Sequence, residues 1–215
     1  MQRNLLTSNQ RSKEDTQDDS IFYSQPRFTY HLDDGFRIRL EELYQLYIPE
    51  NSIVLDLMSS WVSHLPTTIR YKRVIGHGMN LLELEKNKVL DSFWVQDFNQ
   101  KQKLPLDTSS IDVCLMVAAW QYLQYPEEIA SELKRIIRKE GLLIISFSNR
   151  AFWSKAPQIW RENSEICRIN YIKEILTAAG WFDFEVIQEK PDITFIESFM
   201  GQQRDPFFSI IARNQ

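Results

Sequence analysis

Hydrophobic positions along the chain fall into two alternating patterns. Solid apolar runs at 53–57, 73–75, 92–96, 111–117 and 142–147 are separated by stretches in which apolar residues recur every three or four positions. Runs without polar alternation suit strands covered by helices on both faces, as in a parallel sheet. The intervening stretches carry helix signals. Asn80 with Glu83 reads as a capping box opening a helix through Lys88. Pro126 opens a second, with Ile129, Leu133, Ile136 and Ile137 at helical spacing and Gly141 beyond as its stop. A third, at 170–179, sets Ile172, Ile175, Leu176 and Ala179 on one face and ends at Gly180.

Past Gly180 the period changes. Phe182, Phe184 and Val186 alternate with polar residues, and a last apolar run follows at 207–212. These two are expected to pair antiparallel at one end of the sheet. Strands and helices in alternation, closed by such a pair, define a doubly wound α/β domain. Ahead of the first strand, 34–47 carries Phe36, Leu40, Leu43, Tyr44 and Tyr47 at helical spacing. That helix is expected to lie across the carboxyl edge of the sheet, within a helical cover at 21–50.

Composition alters this picture at one place. The chain has 215 residues, 43% hydrophobic and 13% aromatic, which suits one globular domain with a sizeable core. The first twenty residues are the exception, mixing Arg3, Arg11 and Lys13 with Glu14, Asp15, Asp18 and Asp19 around no apolar centre. Residues 1–20 are therefore expected to be a disordered tail, neither signal nor transit peptide, ahead of one domain at 21–215. The net charge of −4 leaves no electrostatic footprint for nucleic acid. Lys134, Arg135, Arg138 and Lys139 read as a solvated helix face within reach of Glu128 and Glu132. No apolar run approaches the roughly 18 residues of a membrane helix. Cys114 and Cys167 make neither a disulfide framework nor a metal site, so a reducing, cytoplasmic compartment and no metal are expected.

Ligands of doubly wound folds bind beyond the carboxyl ends of the strands. Those positions are 56–61, 76–80, 97–98, 117–122 and 146–150. The segment LPLDTSSIDVCLMVAAWQYLQYPEEIASELKRIIRKEGLLIISF, at 104–147, resembles the most recognisable part of class I S-adenosylmethionine-dependent methyltransferases, of the type 11-like, small-molecule kind. Its Leu-Pro turn, the aspartate at the strand start, the helix and the glycine before the fifth strand carry the likeness. The strings DLMSSWVSHLP, GHGMN and FSNRAFWSKA are similar to an atypical subgroup with a glycine-poor first motif. The resemblance implies a Rossmann-like seven-stranded sheet with an antiparallel last strand, and S-adenosyl-L-methionine as cofactor.

By that resemblance Asp56 orients the first loop, formed with Leu57, Met58, Ser59, Ser60 and Trp61, where Met58 and Ser60 replace the family's glycines. Trp61 either walls the cofactor or packs in the core. The family ends its second strand with an acid that binds both ribose hydroxyls. Gly78 stands there instead, so Asn80, which also caps its helix, or His77 is expected to substitute, with Met79 alongside. Asp97, followed by Phe98, matches the acid that accepts from the adenine amino group, and Val117 and Ala118 match the backbone lining the methionine part.

Methyl transfer from a sulfonium is an in-line displacement, so positioning supplies most of the acceleration. A base helps only where the acceptor sheds a proton. His31 and Tyr122 are the expected catalytic groups. Tyr23, Asn149 and Arg150 are the expected substrate contacts, the arginine suited to a carboxylate or phosphate. Asp33 or Asp34 reads as a helix N-cap and His64 as structural. The leading reading is a cytoplasmic transferase that methylates a small molecule, without nucleic-acid or membrane partners. The rival is a catalytically silent methyltransferase-like domain that binds a ligand or a protein. A nicotinamide dehydrogenase would need Gly-x-Gly-x-x-Gly after Leu57, which the chain lacks.

Overall fold

The apolar runs do form one sheet. The computed structural model describes residues 5–190 and 204–215. Its strands are β1 (Ile53–Asp56), β2 (Arg73–Gly78), β3 (Ser92–Val95), β4 (Ile111–Val117), β5 (Ile137–Phe147), β6 (Asp183–Glu189) and β7 (Phe207–Arg213). They are ordered β3-β2-β1-β4-β5-β7-β6, and β7 runs antiparallel to both neighbours while the other pairings are parallel. This is the Rossmann-like, doubly wound architecture expected from the sequence. Along β4 the reason for unbroken hydrophobicity is visible. Cys114 and Met116 face one core while Val113 and Leu115 face the other, and all four are buried.

Among the described residues the helices are α1 (Ser8–Arg11), α2 (Asp19–Phe22), α3 (Asp34–Tyr47), α4 (Leu81–Lys86), α5 (Pro126–Ile136), α6 (Gln158–Arg161) and α7 (Glu165–Ala178). One face of the sheet packs against Ile129, Leu133 and Ile136 of α5 and Ile172, Ile175 and Leu176 of α7. The other packs against Phe36, Leu40, Leu43 and Tyr44 of α3, each at most 1% exposed. Asp33 caps α3 by accepting from the Phe36 N–H at 2.7 Å. With its whole apolar stripe committed to the sheet face, α3 does not lie across the carboxyl edge. The segment before it does that.

Residues 5–20 differ most from expectation, since they are folded against the domain. Thr7 and Gln10 form a capping box on α1. Arg11 pairs with Glu127 at 2.7 Å, and the Asp15 and Asp19 carboxylates lie 3.0 and 3.3 Å from the Lys155 ammonium. Lys13 also pairs with Asp19, and Lys13, Asp19 and Lys155 are all buried. A polar segment with no apolar stripe looks disordered when its partners are far away in sequence. Here the charges are matched and desolvated together, so removing one partner would leave another stranded. Residues 1–4 lie outside the described residues.

Smaller corrections share one cause. β5 begins at Ile137, directly after α5, because Ile137 pairs with Ile111 across the sheet. Arg138 and Lys139 are therefore strand residues, not part of a helix face, and Arg138 pairs with Asp112 at 2.8 Å. Gly141 is not a helix stop. A Cβ there would meet the Asp112 carbonyl oxygen at 2.8 Å, so glycine admits the close passage of β5 past β4. No helix among the described residues is long and apolar enough to cross a membrane.

Candidate functional site

Beyond the carboxyl ends of β1 to β5, the loops and the segment 19–32 enclose a cleft of about 590 Å³. That volume is within the usual range for small-molecule and cofactor sites. Of the site residues singled out from the sequence, all line this cleft except Leu57. Leu57 is fully buried and packs in the core. Asp19, Tyr30 and Glu83 also line it, although sequence reasoning placed none of them in the site. Asp19 lay in the segment taken for a tail, and Glu83 was assigned only to a cap.

At the corner between β1 and β2 the polar groups face one another. β1 delivers Asp56, whose carboxyl is pushed up to about 6 by burial against the opposing effect of the Ser59 and Ser63 hydroxyls. The chain then turns through Met58 at a φ of 57°. The Met58 N–H donates to His77 Nδ1 at 3.1 Å, and the Ser59 N–H donates to the His77 carbonyl at 2.6 Å. His77 Nε2 lies 2.9 Å from the Gln96 carbonyl. The ring must therefore donate from Nε2 and accept at Nδ1, which is the neutral tautomer. Burial agrees with this, holding its pKa down to about 3. The ring stacks on Phe98 at 3.9 Å and 14°.

His77 is thus a brace for the first loop, and its side chain is not free to replace the missing acid. Neither is Asn80. Its Oδ1 caps α4 by accepting from the Glu83 N–H at 3.1 Å, and its Nδ2 donates to the carbonyls of Tyr23 and Ser24 at 2.9 and 3.1 Å. The glycine itself also has a reason. A Cβ on Gly78 would lie 2.5 Å from the Ser59 carbonyl oxygen, so no larger residue fits while the loop passes this close. Trp61 resolves toward the cleft. It is half-buried, donates from Nε1 to the Thr29 carbonyl at 3.2 Å, and sets its ring 4.8 Å from Tyr30.

The end of β3 is arranged more openly. Asp97 is half-buried, and its Oδ1 accepts from the Asn99 N–H at 2.8 Å. Burial raises its pKa against that bond, and nearby Asp19 raises it further. Beyond β4, Ala118 turns the chain at a φ of 48° and donates its N–H to the Ser146 carbonyl at 2.8 Å. Val117 and Met79 complete this wall.

The mouth is aromatic. Arg27 lies over Phe22 at 4.5 Å and over Phe152 at 5.4 Å, and His31 meets Phe152 edge-on at 5.4 Å. Burial lowers the His31 pKa, favouring the neutral imidazole. The Tyr122 hydroxyl accepts from the Phe152 N–H at 3.0 Å, and burial pushes its pKa up to about 12. Its hydroxyl therefore keeps its proton at neutral pH, which does not suit it to act as a base. Tyr23 is likewise raised by burial. Arg150 donates from Nε to Asp205, with Asn149 beside it on the wall. His64 turns the chain at a φ of 53°, and burial, then the Arg37 charge, brings its pKa down to about 4.

This strand order is similar to that of solved S-adenosylmethionine-dependent methyltransferases. A family model described as a methyltransferase domain matches residues 77–145. No curated protein matches the sequence. Among solved structures, the chain is similar to one from a complex between the Trm112 methyltransferase activator and a putative methyltransferase of Haloferax volcanii. The identity is 19%, the coverage 84% of this chain and 94% of that one, and the TM-score 0.59. A possible histamine N-methyltransferase of Thermotoga maritima is 17% identical over 83% of this chain and 89% of that one, with a TM-score of 0.59. Phosphoethanolamine N-methyltransferase 2 of Haemonchus contortus, solved with S-adenosyl-L-methionine, is 13% identical over 86% of this chain and 54% of that one, with a TM-score of 0.60.

Proposed function

We propose that this protein binds S-adenosyl-L-methionine and transfers its methyl group to a small-molecule acceptor. The observation that carries the reading is Asp97. It presents a half-buried carboxylate at the end of β3, oriented by the Asn99 N–H, at the position that contacts adenine in the class it resembles. Val117 and Ala118 flank the methionine end and the Met58–Trp61 loop the centre. When bound, the cofactor supplies an electrophilic methyl group on a sulfonium.

The chain's own groups then have defined tasks. Trp61, Tyr30 and Phe152 exclude water from the mouth. His31, kept neutral by burial, is placed to take the proton that an acceptor N–H or O–H sheds on methylation. Tyr122, with its proton retained, holds Phe152 and positions the acceptor. Tyr23, Asn149 and Arg150 receive the acceptor's body and polar end. A cytoplasmic location is proposed from the two unpaired cysteines.

A catalytically silent binding domain is the second reading, and one observation favours it. The Met58 and Ser59 N–H groups, which would otherwise face a ligand, are taken by His77. A protein partner, such as the activator in the Haloferax complex, suits either reading. Titration with S-adenosylmethionine and S-adenosylhomocysteine, followed by calorimetry or tryptophan fluorescence, separates them. Micromolar binding and methyl transfer to an acceptor from an amine and phenol panel support the first. No binding at millimolar concentration overturns it.

A further inference from the structure

The class resembled here uses an acid at the end of the second strand to accept from both cofactor ribose hydroxyls. Gly78 stands in that place, His77 is fully engaged elsewhere, Asn80 keeps a single acceptor site, one short of what two hydroxyls need, and the Ser59 carbonyl fills the space a side chain would need. We infer that the missing carboxylate is supplied by Glu83, from the first turn of α4. This inference rests on the cofactor reading above.

The placement follows from the local fold. Asn80 caps α4 and Glu83 is the residue whose N–H it binds, so the first helical turn carries Glu83 back to the β1–β2 corner. Its side chain lines the cleft between two of the segments that enclose it. Oε2 accepts from the Ser60 hydroxyl at 2.6 Å, and Oε1 accepts from the Arg27 N–H at 2.7 Å. An ionised carboxylate has about four acceptor sites, so each oxygen keeps one for a further donor. Two oxygens, each with one free site, match the paired hydroxyls of a vicinal diol. The two protein bonds also hold the carboxylate in one orientation, which lowers the ordering cost when a diol arrives.

The same two bonds would arise if Glu83 only stitched residues 27 and 60 together. The test must therefore read the ligand's hydroxyls. S-adenosylhomocysteine and its 2′-deoxy and 3′-deoxy counterparts are titrated calorimetrically into wild-type protein and into Glu83→Gln, Glu83→Asp and Glu85→Gln variants. Wild type is expected to prefer the intact diol by about tenfold or more, the range of charge-assisted bonds. Glu83→Gln should reduce that preference to about twofold while the melting temperature moves little. Glu83→Asp, which keeps the charge but shortens the reach, should fall between and carries the test if the glutamine variant fails to fold. Glu85 is exposed on α4, and its variant should keep the full preference. Retention of the preference in Glu83→Gln overturns the assignment, as does wild-type protein that binds all three ligands alike. Wild-type protein that binds no S-adenosylhomocysteine overturns the cofactor reading itself, and the assignment with it.

Discussion

The end of β3 and the corner between β1 and β2 border the same cleft, yet they use their polar groups in opposite ways. At β3, Asp97 takes one bond from Asn99 and turns a carboxylate toward the cleft. At the corner, the first loop and β2 satisfy each other. Met58 and Ser59 donate to His77, His77 binds Gln96, and Asn80 caps α4 and ties down residues 23 and 24. The first region keeps the pattern of the class it resembles. The second has Met58 and Ser60 where that class has glycines and Gly78 where it has an acid, and the last of these has a geometric cause. The loop passes so close to β2 that the Ser59 carbonyl occupies the space of a Gly78 side chain. An acid can therefore be absent because a neighbouring loop fills the space its side chain would need.

The largest effect should come from restoring the acid. Gly78→Asp places a Cβ 2.5 Å from the Ser59 carbonyl oxygen, and overpacking of this kind costs about 2–3 kcal/mol. For a domain of this size the melting temperature should fall by roughly 5–10 °C in calorimetry, and binding should worsen despite the added acid. An unchanged melting temperature would break the account of the corner. Asp97→Ala tests the other region. S-adenosylhomocysteine affinity should drop by about tenfold to a hundredfold with little change in melting temperature, as measured by titration calorimetry. A variant that binds as wild type removes the adenine assignment.

His77 gives the corner a pH dependence opposite in sign to that of Asp97, whose raised pKa favours the folded state as the pH falls. Its folded pKa, about 3, is below the ordinary value of 6.5, so only the unfolded chain takes up this proton as the pH falls. The stability it contributes is complete above pH 6.5 and is lost as the pH falls toward 3, by about 2 kcal/mol at pH 5. His64, lowered to about 4, acts in the same direction. Asp56 acts in the opposite one, because its raised pKa of about 6 lets the folded state protonate first. Denaturant titrations at pH 7 and pH 5 should show a loss in wild type that His77→Gln reduces. The smallest effect is expected from Ser59→Ala, which removes a hydroxyl bond to buried Asp56 and should cost about 1 kcal/mol at neutral pH. The cost should shrink below pH 6 as Asp56 protonates.

Much of this was legible from the chain alone, for identifiable reasons. Strand runs that must be buried on both sides leave no polar alternation, so β1 and β4 stood out in the sequence. Local signals also held where the partner is near, as for Asp33 capping α3 and Asn80 capping α4. Strand ends gave the cleft positions because a doubly wound fold brings all of them to one edge. Signals failed where the partner is distant. Asp19 and Lys13 looked like a solvated tail because Lys155 is far along the chain, and Gly141 looked like a helix stop because the Asp112 carbonyl it admits belongs to another strand.

The sequence by itself determined the order of elements, the parallel sheet and which loops meet, because periodicity and capping are set by residues within a few positions of one another. Tertiary structure alone decided that α3 covers a sheet face, that the segment 19–32 borders the cleft and that His77 accepts from the first loop. It also decided that Glu83 lines the cleft between Ser60 and Arg27. Each of these depends on a hydrogen bond, ion pair or packing contact between residues distant in sequence, and no local pattern encodes that.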